Sequence, residues 1–230
     1  METLAGKKRR VRAIMTALKR QYPDARCMLD YSNPLELLVA TILAAQCTDK
    51  RVNMTTRELF RKYCSASDWA NASQEELEKV FRPCGFFRHK AQSVRAACAE
   101  IEKRYAGKVP ANMEELSALS GVGRKTANVV LGNALGVPSI IVDTHVIRVS
   151  GRLGLASEHN VKKKYADKIE KELLEVVPEK ERTIFSHVLG FHGRAICGAR
   201  KPRCSECIIA RLCPYAAKTP RELFNRKSKS

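Results

Sequence analysis

Hydrophobic residues along this chain recur at the three- and four-residue spacing of an amphipathic helix, with polar residues between them. Two clear stripes of this kind are Val11, Ile14, Met15 and Leu18, and Val94, Cys98, Ile101 and Tyr105. No convincing run alternates hydrophobic and polar residues as a half-buried strand does. The pattern therefore predicts an all-α protein of about ten short helices.

Residues that favour helix starts stand where these hydrophobic stretches begin. Asn33 precedes Pro34, and the sequences Ser73-x-x-Glu76 and Asn112-x-x-Glu115 have the form of capping boxes. These positions predict three helix N-termini.

The composition adds a strong positive charge to this helical picture. The 230 residues include 42 Lys plus Arg against 24 Asp plus Glu, a net charge of +18. A well-solvated surface is one explanation, but the excess favours a polyanionic partner, nucleic acid first and an anionic membrane surface second. No long apolar run follows the basic N-terminus, so we expect neither a signal peptide nor a membrane anchor, and a soluble intracellular protein.

A turn with two glycines, Gly121-Val122-Gly123, separates a short helix from a second helix that should open at about Gly123. Glycines allow positive φ and close approach, so backbone N–H groups and the helix dipole can hold a phosphate there. An ordinary helix connection with Val122 as its apolar plug is the alternative. The spacing is not that of a P-loop, because Arg124 separates Gly123 from Lys125.

Lys125 follows this turn and has two interpretations. It could contact phosphate, the commoner role of such a lysine, or it could act as a nucleophile. A nucleophilic amine must be neutral part of the time, which partial burial and a positive helix end both favour.

Asp143 follows a run of apolar residues and precedes a predicted helix. Asp favours the N-cap position, so a purely structural role is a strong alternative. A rigid, ionised capping carboxylate that faces a cleft could also assist proton transfer or stabilise positive charge on a sugar. His145 and Arg148 are interpreted as structural residues or phosphate contacts.

Four of the nine cysteines lie close together, at Cys197, Cys204, Cys207 and Cys213. Their spacing predicts one metal site, with zinc and an iron–sulfur cluster about equally favoured. Its first loop carries Arg200, Lys201 and Arg203, a basic surface for DNA phosphate. The other five cysteines lie in helical patterns and are expected to be buried as small apolar residues.

Taken together, these motifs resemble the endonuclease III family of DNA glycosylases, in the helix-hairpin-helix superfamily. The segments that carry the resemblance are Leu43–Asp49, Leu119–Leu131, Val142–Val146, His192–Arg194 and the cysteine spacing. The resemblance implies a [4Fe-4S] cluster on the four cysteines. It also implies two helical domains, a six-helix domain at 27–137 and a discontinuous cluster domain at 1–26 and 138–230, with the active site in the cleft between them.

The same resemblance implies the chemistry. A damaged base is flipped out of the duplex, because its sugar carbon is inaccessible within the stack. Lys125 then attacks C1′, expels the base and forms a Schiff base, Asp143 assists, and β-elimination cuts the strand. Oxidised pyrimidines and abasic sites in double-stranded DNA are the implied substrates.

Further positions are carried over as DNA contacts. Gln46 matches the residue that fills the gap left by the flipped nucleotide. Phe86 and Arg88 lie where the family inserts an apolar wedge, although core packing is the alternative for Phe86 and Phe87. Gly121, Gly123, Arg124 and His145 are also expected at the DNA. Ser120 and Cys47 depart from the residues usual in the family.

Two other functions remain open from the sequence. An adenine mismatch glycosylase would lack the nucleophilic lysine and carry Glu where this chain has Thr41. A catalytically inactive helix-hairpin-helix DNA-binding protein would keep the turn and the cluster. Under the preferred interpretation we expect a monomer in the cytoplasm, associated with the nucleoid, with no membrane partner.

Overall fold

The structure is a computed structural model that describes residues 2–217. Over this range the chain forms α-helices, short 3-10 helices and turns, and contains no β-strand, which confirms the predicted all-α class. These residues contain thirteen α-helices rather than about ten. The additional ones are three short helices of four to six residues, too brief for hydrophobic periodicity to reveal.

The helices are numbered in chain order. They are α1 (Leu4–Gln21), α2 (Pro34–Leu43), α3 (Asp49–Lys62), α4 (Ala66–Asn71), α5 (Gln74–Phe81), α6 (Phe87–Tyr105), α7 (Met113–Ala118), α8 (Arg124–Ala134), α9 (Thr144–Arg152), α10 (Glu158–Lys163), α11 (Ala166–Val176), α12 (Arg182–Ala195) and α13 (Pro214–Ala217).

The three predicted helix starts are confirmed. In each case the side chain of the N-cap residue accepts a hydrogen bond from the backbone N–H three residues on, as expected for these residue types. The capping residues are Asn33 for α2, Ser73 for α5 and Asn112 for α7.

The chain divides into two compact units. One comprises Cys27–Val137, and the other comprises the residues up to Arg26 together with those from Pro138 onward. The first contains α2 to α8, seven helices where the resemblance implied six, because Ser65 caps the short additional helix α4.

The Cys27–Val137 unit is built around α2, which is apolar on nearly every side. Its buried residues include Leu37, Leu38 and Leu43, and the helix packs against α3, α6 and α8. A helix with so little polar surface must be covered by neighbours, so α2 is central to this unit.

The second unit has its own core, formed by one face each of α1, α9, α11 and α12. The predicted stripe of Val11, Ile14, Met15 and Leu18 is buried in it. The other predicted stripe, on α6 in the Cys27–Val137 unit, is buried at Val94, Cys98 and Ile101.

The expectation that the five scattered cysteines are buried can be compared with the structure. Cys84 and Cys98 are buried, as expected, but Cys64 is exposed and Cys27 and Cys47 are half-buried, so burial of all five cysteines was wrong. A hydrophobic spacing shows which helix face a thiol occupies and not whether another helix covers it. Separately, no helix among residues 2–217 is long and apolar enough to cross a bilayer.

Candidate active site

The Gly-Val-Gly turn joins α7 to α8 and depends on its first glycine. Gly121 has a φ of +72°, in the left-handed region, and a Cβ there would lie 2.6 Å from Cβ of Ser93. A side chain at this position is therefore excluded both by backbone conformation and by packing. Gly123 differs: its φ is −86° and a Cβ added there would have nothing within 4 Å, so positive φ is required only at Gly121.

The start of α8 has the features of an anion site. Gly123 is the N-cap residue, and no side-chain hydrogen bond caps the helix there. Val122 is buried beneath the turn, and its N–H donates to the carbonyl of Leu119. Because the first-turn amides of a helix have no intrahelical acceptor and lie at the positive end of its dipole, this turn is suited to a phosphate.

Lys125 is the second residue of α8 and is exposed. The expected partial burial was wrong, because the first turn of α8 projects beyond the packed part of the helix, which begins at Ala127. Arg124 is exposed beside it. The helix start therefore presents a mobile primary amine next to backbone donors for a phosphate.

Asp143 is the N-cap residue of α9, as predicted. Its Oδ1 accepts hydrogen bonds from the backbone N–H groups of His145 and Val146, both at 2.8 Å. This pair of bonds fixes the carboxylate relative to the helix and leaves Oδ2 outside the cap. Oδ2 lies 3.4 Å from Nδ1 of His145.

His187 on α12 adds to the electrostatics around Asp143. Burial lowers the pKa of His187 to about 4, the charge of Asp143 opposes that shift, and Arg194 adds to it. His187 is therefore neutral at physiological pH, and Asp143 has a half-buried imidazole within its field.

Gly193 allows α12 to approach the start of α9 closely. A Cβ at Gly193 would lie 3.1 Å from Cβ of His145 and 3.1 Å from Nη2 of Arg148. The same Arg148 nitrogen donates to the carbonyl of Gly193 at 2.9 Å. His145 and Arg148 thus have structural roles here, one of the two roles expected for them.

The four clustered cysteines line one cavity, together with apolar side chains such as Val149, Leu153 and Ile209. Burial raises the pKa of Cys207 to about 11; a backbone hydrogen bond from Ile209 opposes the rise, and the charges of the other three thiols add to it. Within residues 2–217 no three His, Cys, Asp or Glu side chains converge closely enough to hold a single metal ion. Four thiolates suit either a tetrahedral zinc ion, with sulfurs about 2.3 Å from one point, or an iron–sulfur cluster.

Arg152 on α9 holds the first loop of this cysteine region. Its guanidinium donates to the carbonyls of Cys197, Gly198 and Ala199, and Nη1 lies 3.1 Å from Sγ of Cys197. Nε of Arg148 donates to the same Cys197 carbonyl. The sequence analysis did not identify Arg152 as a functional residue. The only sequence feature that could have indicated it is its position on the same helix as Arg148, after Asp143.

The residues that the family resemblance places at the DNA insertion site are exposed. Gln46 has a φ of +55° in the turn between α2 and α3, and Phe86 has a φ of +49° just before α6. Phe86 is 66% exposed, so core packing is wrong for its side chain, whereas Phe87 is half-buried. Arg88 is exposed, with its guanidinium over the ring of Phe87.

The three basic residues of the cysteine loop differ in their surroundings. Arg200 and Lys201 are exposed. Arg203 is exposed but engaged: it donates to Glu206 at 2.8 Å and to the carbonyl of Ala195. Its guanidinium therefore stabilises the loop in this conformation.

The chain matches known proteins over most of its length. Residues 39–179 match the HhH-GPD superfamily of base excision DNA repair proteins. The chain is 47% identical to endonuclease III of Synechocystis sp. over 94% of its own length and 97% of that protein, and 40% identical to endonuclease III of Escherichia coli K12 over 89% and 95%.

Solved structures agree with these sequence matches. A trapped covalent intermediate of an endonuclease III with DNA has a TM-score of 0.83 and 42% identity, and covers 92% of this chain and 97% of that one. A thermostable thymine-DNA glycosylase has the same fold, with a TM-score of 0.79 at 24% identity.

Fold, hairpin and sequence matches together define a base-excision DNA-repair enzyme of the helix-hairpin-helix class. Within that class the chain belongs to the endonuclease III family. It is a DNA glycosylase and AP lyase for oxidised pyrimidines, of a family that carries an iron–sulfur cluster.

Proposed function

We propose that Lys125 is the nucleophile of this enzyme and Asp143 its acid–base partner, acting on a flipped nucleotide in damaged duplex DNA. The observation that carries the proposal is the position of Lys125, exposed as the second residue of α8, whose N-cap residue makes no side-chain capping hydrogen bond. The amides of the turn bind the DNA backbone, which leaves the amine of Lys125 available for chemistry.

In the first step Nζ of Lys125, as the free amine, attacks C1′ of the damaged nucleotide. The C1′–N bond breaks, the base leaves with its electron pair and takes up a proton, and the sugar ring opens to a Schiff base on Nζ.

In the second step a proton leaves C2′ of the Schiff base and the C3′–O bond breaks, which cuts the strand 3′ to the lesion. Water then releases the sugar remnant from Lys125. Asp143 supports both steps, because its capped carboxylate is held rigidly and can exchange protons or balance positive charge on the sugar.

We also infer that Cys197, Cys204, Cys207 and Cys213 hold the family's [4Fe-4S] cluster. Thiolates are the ligands such a cluster requires, and the four cysteines surround one cavity. When bound, the cluster would fix the fold of the loop that carries Arg200 and Lys201. These two residues, and the backbone of Gly121 and Gly123, would then contact DNA phosphates.

The remaining parts of the proposal concern context. Gln46 and Phe86 would enter the duplex at the lesion, with Arg88, Arg124 and His145 near the DNA backbone. Damaged bases and abasic sites are the preferred targets, and the enzyme acts as a monomer on DNA of the nucleoid. Thr41 supports this function over adenine mismatch repair, because it offers no carboxylate and its hydroxyl donates to the carbonyl of Leu37.

Borohydride trapping tests the proposed mechanism. Duplex DNA with an oxidised pyrimidine should yield a covalent complex with the wild-type protein, and Lys125→Ala should lower its yield about a thousandfold or more. Lys103→Ala is the matched control, an exposed lysine on the distant end of α6 that should trap normally. Trapping by Lys125→Ala at the wild-type level would exclude the mechanism.

A further inference from the structure

A buried lysine lies behind the turn that carries Phe86. Lys90 is the fourth residue of α6 and is 3% exposed. A DNA phosphate at the surface of the protein would not reach its ammonium group. Lys90 therefore differs from exposed basic residues such as Arg88 and Lys103, which are accessible to a polyanion.

A cation at this place is unfavourable for two reasons. Removal of an ammonium group from water costs free energy, and burial lowers the pKa of Lys90. The start of a helix is also the positive end of its dipole, and the first turn of α6 carries no acidic residue. An apolar side chain of similar length would avoid both costs, so the filling of space does not account for the amine.

The amine is bonded to the Phe86 turn. Nζ of Lys90 donates to the backbone carbonyl of Cys84 at 2.8 Å, six positions back along the chain. The backbone N–H of Lys90 donates to the carbonyl of Phe86 at 3.0 Å. Lys90 thus holds the turn at two carbonyls, one on each side of Gly85. The bond from Nζ is the stronger type when the donor is charged.

The backbone of this turn needs such support. Gly85 has a φ of +69° and Phe86 a φ of +49°, so two consecutive residues lie in the left-handed region and one of them carries a side chain. A non-glycine residue in that region costs free energy and keeps the conformation only where its surroundings hold it. At Phe86 no side-chain hydrogen bond caps α6.

The turn has a fixed side and a free side. Cys84 is 2% exposed, and its Sγ lies 3.4 Å from the hydroxyl of Thr55 on α3. Phe86, two residues on, is 66% exposed. The contacts of Cys84 and Lys90 therefore hold the base of the turn while the phenyl ring of Phe86 projects into solvent.

We propose that Lys90 is a positioning residue for lesion recognition, which holds the Cys84 carbonyl from inside the unit and so presents the ring of Phe86 to the duplex. The proposal rests on the proposed function, in which Phe86 enters the duplex at the lesion. A turn that is already ordered need not be ordered on DNA, and this lowers the free-energy cost of binding.

Limited proteolysis tests the restraint without DNA. Lys90→Met keeps a long apolar side chain and removes the donor. Because Arg88 is exposed at the start of α6, trypsin cleavage after it reports opening of the turn. This cleavage should be about tenfold faster in Lys90→Met, whereas cleavage after Lys103, at the far end of α6, should keep its rate. Equal rates after Arg88 in the two proteins would overturn the proposal.

Lesion preference tests the consequence for DNA. It is the ratio of the dissociation constants for an undamaged duplex and for the same duplex with a tetrahydrofuran abasic analogue, on which no Schiff base can form. Lys90→Met and Phe86→Ala should each lower this ratio about tenfold. The double variant should show no further loss beyond Phe86→Ala, since Lys90 acts through Phe86.

Two results of the binding measurements would contradict the role of Lys90. One is a further tenfold loss in the double variant, which would show that Lys90 acts independently of Phe86. The other is equal weakening on both duplexes in Lys90→Met, which would show a general defect of the fold.

A core variant controls for stability. Val94 is buried on the next turn of α6, so Val94→Ala should lower the urea midpoint and keep the lesion preference. If Val94→Ala lost as much preference as Lys90→Met, lost stability would explain the effect and the proposal would be wrong.

The Phe86→Ala result separates the proposal from the proposed function. Wild-type preference in Phe86→Ala would overturn both the insertion role of Phe86 and the positioning role of Lys90. Lost preference in Phe86→Ala beside wild-type preference in Lys90→Met would overturn the role of Lys90 alone.

Discussion

The starts of α8 and α9 are both helix N-termini, yet they serve opposite purposes. At α9 the side chain of Asp143 accepts two backbone hydrogen bonds and occupies the positive end of the helix itself. At α8 Gly123 offers no side chain, and no side-chain hydrogen bond caps the helix. The residue at the N-cap therefore decides whether the backbone N–H groups of the first turn bond to its own side chain or are available to bind an anion.

The same difference extends to the neighbouring residues. Asp143 is held by its cap and lies near His145 and His187, whereas Lys125 is exposed on a flexible side chain. Under the proposed function, a fixed carboxylate suits proton transfer, and an amine on a flexible side chain suits a nucleophile that must reach and later leave the sugar.

The largest expected effect separates the two roles of Asp143. Asn caps a helix as well as Asp does, so Asp143→Asn should leave stability nearly unchanged and lower base release about 10²- to 10⁴-fold. Asp143→Ala should lose the same activity and also about 1 kcal/mol of stability. Base release and urea unfolding measure the two effects; normal activity of Asp143→Asn would make Asp143 a cap only.

The next prediction concerns the turn before Lys125. Gly121→Ala places a Cβ against Ser93 in the left-handed region, and should cost about 2 to 3 kcal/mol and weaken DNA binding. Gly123→Ala has open space and ordinary φ, and should cost less than about 1 kcal/mol. Unfolding midpoints of both variants give the comparison, and equal losses would contradict it.

A third prediction uses the histidine near Asp143. Burial lowers the pKa of His187 to about 4, below its unfolded value near 6.5. The unfolded chain therefore binds a proton that the folded chain does not, and stability present above pH 6.5 falls as the pH drops toward 4, by up to about 3 kcal/mol.

Urea unfolding at several pH values checks this contribution. His187→Gln cannot gain the proton and should lose less stability than the wild-type protein over that interval. If the free energies of unfolding of the two proteins fell equally with pH, His187 would not be held neutral by the fold.

The smallest expected effect concerns the cysteine loop. Arg200→Ala and Lys201→Ala should each lower the salt dependence of DNA binding by about one unit of log–log slope, uniformly across sequences. Arg203→Ala should leave the slope unchanged, because its guanidinium is engaged with Glu206 and the Ala195 carbonyl. If all three variants kept the wild-type slope, this loop would not contact DNA phosphates.

Sequence patterns predicted local features and missed those made by packing. The caps at Asn33, Ser73 and Asn112, and the opening of α8 after Gly123, follow from residue preferences over a few positions. The exposure of Lys125 and of Cys64 does not, since periodicity cannot show how far a helix end projects from its neighbours. The resemblance supplied the family, which the comparisons confirmed.

Contacts between distant segments were likewise outside the reach of the sequence. The hydrogen bonds of Arg152 to the loop at Cys197 join residues far apart in the chain. Only a folded arrangement brings such groups together, because neither spacing nor composition encodes their separation.

The nucleophile is tested most directly by locating the covalent bond. The wild-type protein is reduced with borohydride on duplex DNA that contains an oxidised pyrimidine, digested with protease and nuclease, and sequenced by tandem mass spectrometry. We predict a reduced sugar remnant on Nζ of Lys125. A remnant on another lysine or on the N-terminal amine would contradict the assignment of Lys125.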